Sequence, residues 1–378
     1  MSQASKPSSG AGLRGTSAGE TALCTVGKVG AGLTYRGYDI TVLAEKASFE
    51  EVAHLILRGN LPTRAQLKSF ALEIQRSREL PAPVLEVLER IPKDAHPMDV
   101  IRTGVSALSS FEPETDFTQQ QRVATRLLAS MPSMLLYWYR FAHDGVRINV
   151  GTTDDSIAGH FLHLLRGEAP AERDRRVLDV SLILYAEHEF NASTFAARVC
   201  ASTLSDLYSC ITTAIGTLRG PLHGGANEKA MDLLDTWKTP EEAEAGIGKM
   251  LAAKEKVMGF GHAVYRESDP RSPIIQRWAE ELSRGDNSRE NLYEMAKRVH
   301  AKMWNEKRLF PNADFYHAPA YRYIGIPTPL FTPIFAIARV TGWCAHVMEQ
   351  RANNRIIRPS ADYIGPASAQ WLDIAERG

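Results

Sequence analysis

Apolar residues recur at helical spacing along most of this chain and alternate as in a strand almost nowhere. Ser48-Phe49-Glu50-Glu51 reads as a capping box, with Val52, Leu55 and Ile56 following on one face. Gly59 and then Pro62 mark the stop of that helix. Thr63 to Gln66 repeats the start pattern, and Thr239-Pro240-Glu241-Glu242 is a third start with proline at the first helical position. Longer helices are expected over 121–141, with a kink at Pro132, and over 175–187, 192–218, 291–307 and 331–352. The exception is 22–40, which is glycine-rich and suggests a short hairpin. Together these patterns predict an all-α chain with no internal repeat.

Composition narrows the partners. The 378 residues suggest two or three domains, and 44% hydrophobic content is enough for a sizeable core. Lys+Arg and Asp+Glu both number 44, so neither nucleic acid nor an anionic membrane is an expected partner. An anionic ligand must then be met by a local basic cluster. Cys24, Cys200, Cys210 and Cys344 have no metal-ligand spacing, and no signal peptide precedes them. Buried free thiols in a reducing, cytoplasmic setting are the expectation. No uninterrupted apolar run reaches the roughly 18 residues of a membrane span. The closest, 195–216, is broken by Arg198 and Asp206. Residues 1–21, rich in Ser, Gly and Ala at their start, are expected to be a disordered tail.

Three loop segments carry candidate chemistry. Gly220-Pro221-Leu222-His223-Gly224-Gly225-Ala226-Asn227 places a histidine before a helix start. The dipole there favours neutral imidazole, which donates one hydrogen bond and still moves a proton. Taken alone, this is also how a satisfied capping histidine looks. Gly259-Phe260-Gly261-His262 leads to Asp269-Pro270-Arg271, where small residues allow close approach to a ligand and a guanidinium suits a carboxylate. A solvated surface turn reads the same way. Asn312-Ala313-Asp314-Phe315 sets a carboxylate among aromatics, which raises its pKa and its strength as a base. An isolated Asp is more commonly a cap. His188 falls at a helix junction, and Arg339 lies on an apolar helix, where a buried guanidinium needs an anionic partner.

In order and wording these segments resemble the citrate synthase family, from about Gly32 to Pro366. Gly32 to Ile40, His96 to Val100, Met303 to Lys307 and Ile356 to Tyr363 are similar to its 2-methylcitrate synthase branch. The resemblance implies a large helical domain made of 22–219 and 323–378, with a small domain, 220–322, inserted. It implies condensation of propionyl-CoA, with acetyl-CoA as the alternative, onto oxaloacetate. His223 would hold the thioester carbonyl, Asp314 would remove the alpha proton, and His262 would donate to the ketone oxygen. His188, Arg271 and Arg339 match oxaloacetate-binding positions. Arg358 matches one supplied across a homodimer interface. The CoA nucleotide would lie against Lys256, Val257, Met258 and Gly259, with Arg266 and Lys307 near it. Lys254 and Arg308 add to that basic set, which is also how a solvated basic face would look. No metal or redox cofactor is implied. One residue departs from the pattern: the family usually has a small residue where this chain has His317. A bulky imidazole there bears on the base or on the width of the acyl pocket.

Two other classes fit parts of the sequence. His188, His223, His262 and Asp314 suit zinc in a metal-dependent hydrolase, although no paired-histidine helix motif is present. A helical sensor of CoA esters or organic acids is the other, but binding alone has no need of Asp314.

Overall fold

The computed structural model describes Leu13 and residues 15–28, 31–284 and 290–377. Three short strands, β1 (Cys24–Lys28), β2 (Ala31–Tyr35) and β3 (Tyr38–Asp39), pair antiparallel in that order, Cys24 opposite Tyr35 and Tyr35 opposite Tyr38. Helices make up the remainder of the regular structure. The first eight are α1 (Ile40–Lys46), α2 (Phe49–Arg58), α3 (Arg64–Arg76), α4 (Ala82–Glu89), α5 (Pro97–Phe111), α6 (Gln120–Asp144), α7 (Ile157–Arg166) and α8 (Glu172–Tyr185). They are followed by α9 (Ala192–Ser202), α10 (Leu207–Leu218), α11 (Ala226–Asp235), α12 (Pro240–Ala252), α13 (Ser272–Ser283), α14 (Glu290–Lys307), α15 (Ala313–Tyr323) and α16 (Phe331–Ala352). The all-α class and the N-terminal hairpin are as expected. Of the expected tail, residues 1–12 and 14 lie outside the described residues. Leu13, Gly15 and Thr16 line the main cavity, and the Ala22 amide donates to Glu349.

Local chemistry explains the helix boundaries. Ser48 and Thr63 each close a reciprocal capping box, with Glu51 and Gln66. Gly59 ends α2 in the left-handed region at φ 96°. Pro132 lies inside one helix, α6. The expected helix over 192–218 is instead two, α9 and α10. Leu204 at φ 65° breaks the first, and Asp206 caps the second by accepting from the Ser209 amide. The apolar face continues across the break, so periodicity alone joins them.

The long helix α16 crosses the core, packed against α2, α6, α8, α9 and α10. The span 328–352 is long and apolar enough to cross a membrane, yet 94% of its most apolar window is buried inside the protein. It also carries the buried Arg339, so it is read as a core helix. Helices α11 to α15 pack on one another: α12 on α14, α13 on α15 and α11 on α15. The connections that enter and leave these helices hold His223, His262 and Arg271, and the first turn of α15 holds Asp314. All four cysteines are free thiols, three of them buried.

Candidate active site

The His262 and Asp314 segments form a short antiparallel bridge. The Gly261 amide donates to Phe310 O at 2.8 Å, and the Asn312 amide donates to Gly259 O at 2.9 Å. The bridge brings Gly259 against α15. It sits at φ 87°, and a Cβ there would be 3.0 Å from the Phe315 ring. Asn312 caps α15 by accepting from the Asp314 amide, which leaves Asp314 in the first turn. Asp269 ties in the loop that leads to Arg271. It grips Arg271 with both oxygens, at 3.0 and 2.9 Å, and accepts from the Ala313 amide at 3.0 Å.

The tautomers of both loop histidines follow from backbone donors. His223 Nε2 receives the Ser193 N–H at 3.1 Å, so the ring proton is on Nδ1. His262 Nδ1 receives the Val264 N–H at 3.0 Å and the Tyr265 N–H at 3.3 Å, so its proton is on Nε2. Neither proton-bearing nitrogen has a hydrogen-bond partner among the described residues. Burial pushes both imidazoles down to about 4, and nearby guanidinium groups push the same way. Both are therefore neutral donors at pH 7. His188 is driven well below its usual range by burial and by Arg271 and Arg339, and its Nε2 meets the Tyr265 hydroxyl at 3.1 Å.

Asp314 is held above the usual aspartate range by burial, partly offset by the Tyr185 hydroxyl, which donates to Oδ1 at 2.7 Å. Arg271 is buried with Asp269 as its counter-ion. Arg339 is buried too, but its only hydrogen bond among the described residues is Nε to Tyr185 O, at 2.7 Å. Its guanidinium lies over the Phe335 ring, and burial lowers its pKa. A desolvated guanidinium with no carboxylate in contact is a ready site for an anion.

One cavity of about 650 Å³ collects His188, His223, His262, Arg271, Asp314 and Arg339. A smaller one beside it is shared by His223 and Asp314. Six of the seven catalytic and oxaloacetate candidates thus meet in one place. Arg358 does not. It is exposed in the segment after α16 and does not line this cavity. Of the CoA candidates, Arg266 lines the cavity, Lys256 and Lys307 are exposed, Met258 is half-buried, and Val257 and Gly259 are buried. Among the described residues no group of three His, Cys, Asp or Glu side chains could hold a metal ion, which leaves the zinc-hydrolase reading without a ligand set.

The structure adds residues that sequence reasoning missed. Tyr185 holds Asp314, Ser193 holds His223, Tyr265 touches His188, and Asp269 fixes Arg271. His317 faces away from the cavity. Its Nδ1–H donates to Ala313 O at 2.6 Å, and its ring stacks on Tyr185 at 4.1 Å between centroids. Burial lowers it to about 3, so it is a neutral ring wedged behind Tyr185.

Residues 12–360 match the family model described as citrate synthase, C-terminal domain. The chain belongs to the citrate synthase family. A 2-methylcitrate synthase of Shewanella oneidensis is 61% identical over 377 residues, covering 100% of both chains. A citrate/2-methylcitrate synthase of Bacillus subtilis is 42% identical, across 94% of this chain and 96% of that one. A solved citrate synthase of the archaeon Thermoplasma acidophilum, in a ternary complex with carboxymethyl coenzyme A and oxaloacetate, matches with a TM-score of 0.90. It is 34% identical, over 97% of this chain and 98% of that one. The fold is therefore that of the citrate synthase family, and the chain is a condensing acyltransferase.

Proposed function

We propose that this chain is a 2-methylcitrate synthase, condensing propionyl-CoA with oxaloacetate and water to give 2-methylcitrate and CoA. The observation that carries the reading is the full-length 61% identity to a relative of that name. The site chemistry supports it. Asp314, part-buried and raised, takes the proton alpha to the thioester carbonyl. The free Nδ1–H of His223 stabilises the oxygen of the resulting enol or enolate, an interaction worth several kcal/mol. The enol carbon attacks the ketone carbon of oxaloacetate while His262 Nε2–H gives its proton to the ketone oxygen. Water then cleaves the thioester and CoA leaves. Arg271, Arg339 and His188 hold the oxaloacetate carboxylates, and the cavity keeps both substrates in contact. The steps are proton transfer, carbonyl addition and hydrolysis, so the reading calls on no cofactor beyond the CoA thioester.

The assembly belongs to the same reading. The segment after α16 is extended and exposes Ile356, Tyr363, Ile364, Trp371 and Ile374, far more apolar surface than a free arm tolerates. A second copy of the chain is the partner that suits it, with Arg358 delivered to that copy's site. Residues 220–322 form the small domain, set into a large domain of 22–219 and 323–378, and the packing of α11 to α15 on one another supports the division. Lys256, Val257, Met258, Gly259, Arg266 and Lys307 receive the nucleotide end of CoA. Four free thiols suit a cytoplasmic enzyme.

Citrate synthesis from acetyl-CoA is the second reading, favoured by relatives named citrate synthase at 40% identity. Incubation with propionyl-CoA and oxaloacetate, followed by mass analysis, tests the proposal. It predicts 2-methylcitrate and free CoA in equal amounts. CoA release that does not depend on oxaloacetate would refute it.

A further inference from the structure

Behind His188, three successive residues of the turn are held by three residues on one face of α16. Arg339 Nε donates to Tyr185 O at 2.7 Å, the Gly342 amide donates to Ala186 O at 3.1 Å, and His346 Nε2 meets Glu187 Oε1 at 2.8 Å. The spacing is i, i+3, i+7, which is one side of a helix. Gly342 admits this approach, because a Cβ there would be 2.0 Å from Glu187 Oε2.

The third contact joins a chain of buried groups. His346 Nδ1 receives Arg198 Nη1 at 2.9 Å. Arginine has only donors, so Nδ1 accepts and the imidazole proton is on Nε2, directed at Glu187. Arg198 is in turn paired with Glu349 at 2.7 Å. Glu187 is fully buried, and its Oε1 also accepts the Glu189 N–H at 2.7 Å and the Cys24 thiol at 3.4 Å. Its other oxygen, Oε2, has no hydrogen-bond partner among the described residues. Glu189 itself is in the left-handed region at φ 53°, a conformation that a non-glycine residue holds only when its surroundings impose it. His188 lies between the anchored Glu187 and the strained Glu189.

We propose that Glu187 is a positioning residue for oxaloacetate binding, held as an anion by the Arg198–His346 relay. The carboxylate fixes the turn that aims His188. It also supplies a buried negative charge that acts on Arg339, which has no carboxylate in contact among the described residues. This rests on the reading of His188 and Arg339 as oxaloacetate ligands. Losing the relay should weaken oxaloacetate binding and leave the acyl-CoA side alone.

The test compares Glu187→Gln, His346→Leu and His346→Gln by steady-state kinetics and by calorimetric titration with oxaloacetate alone. A glutamine at 346 can both accept from Arg198 and donate to Glu187, so it is the rescue variant. Glu187→Gln and His346→Leu should raise KM and Kd for oxaloacetate about tenfold or more, with KM for propionyl-CoA within about twofold. His346→Gln should stay close to the parent. A lower Tm with both KM values unchanged would reduce Glu187 to a structural residue and overturn the proposal. So would an equal rise in both KM values. Should Glu187→Gln fail to melt cooperatively, the two His346 variants decide by the same criteria. The titration also separates this idea from the functional reading, since it needs no turnover.

Discussion

The hydroxyl of Tyr185 donates a 2.7 Å hydrogen bond to Oδ1 of Asp314, across 129 residues of sequence. It is the contact that opposes burial at the carboxylate. Burial raises Asp314, and the phenol stabilises the charged form and lowers it. Tyr185→Phe removes the lowering contribution, so the Asp314 pKa rises further. The base works deprotonated, and the acid limb of kcat/KM should move to higher pH by about one unit. An unchanged pH profile would show that the contact does not tune the base.

Asp314→Asn removes the base but keeps the shape of the site. The expected result is a fall in kcat of about 10²- to 10⁴-fold, with oxaloacetate affinity within a few-fold of the parent. Near-normal turnover would move the base elsewhere.

Gly259 packs the His262 loop against α15. With φ at 87° and Phe315 3.0 Å from a new Cβ, Gly259→Ala must strain the loop or push α15 and Asp314 away. A loss of about 1–3 kcal/mol in stability is expected, together with a drop in kcat of at least tenfold. Full activity with unaltered melting would contradict this close packing.

Stability should fall on acidification through a window set by histidines. His223 and His262 are lowered to about 4 and His317 to about 3, from an ordinary 6.5. Each is harder to protonate folded than unfolded, so the unfolded chain binds more protons below about pH 6.5, and stability declines until the folded values are reached. Thermal melts from pH 7 to 4 should show a falling Tm. His317→Gln should flatten the slope, because it removes the most strongly shifted of the three. A slope identical to the parent would argue against a neutral, buried His317.

Much of this could be read from the sequence for physical reasons. Capping boxes at Ser48 and Thr63 are local chemistry, and both helix starts are where those residues place them. His223, His262 and Asp314 stand out because glycine and proline surround them, and one cavity gathers them. The break between α9 and α10 was hidden by a continuous apolar face, although Asp206 followed three residues later by Ser209 was an available capping signal. The supporting residues were not legible. Tyr185, Ser193, Tyr265 and Glu187 act through partners 129, 30, 77 and 159 residues away, and nothing in their own neighbourhoods marks such contacts. His317 stood out as a departure, but only packing shows that it backs Tyr185 rather than lining the cavity.

The acyl group is the central claim, since one methyl is worth only about 1–3 kcal/mol in a pocket. The most direct measurement is the ratio of kcat/KM for propionyl-CoA over acetyl-CoA, from oxaloacetate-dependent CoA release with both substrates side by side. A ratio well above one is the predicted result and makes this chain a 2-methylcitrate synthase. A ratio well below one would contradict it and assign citrate synthesis as the principal reaction.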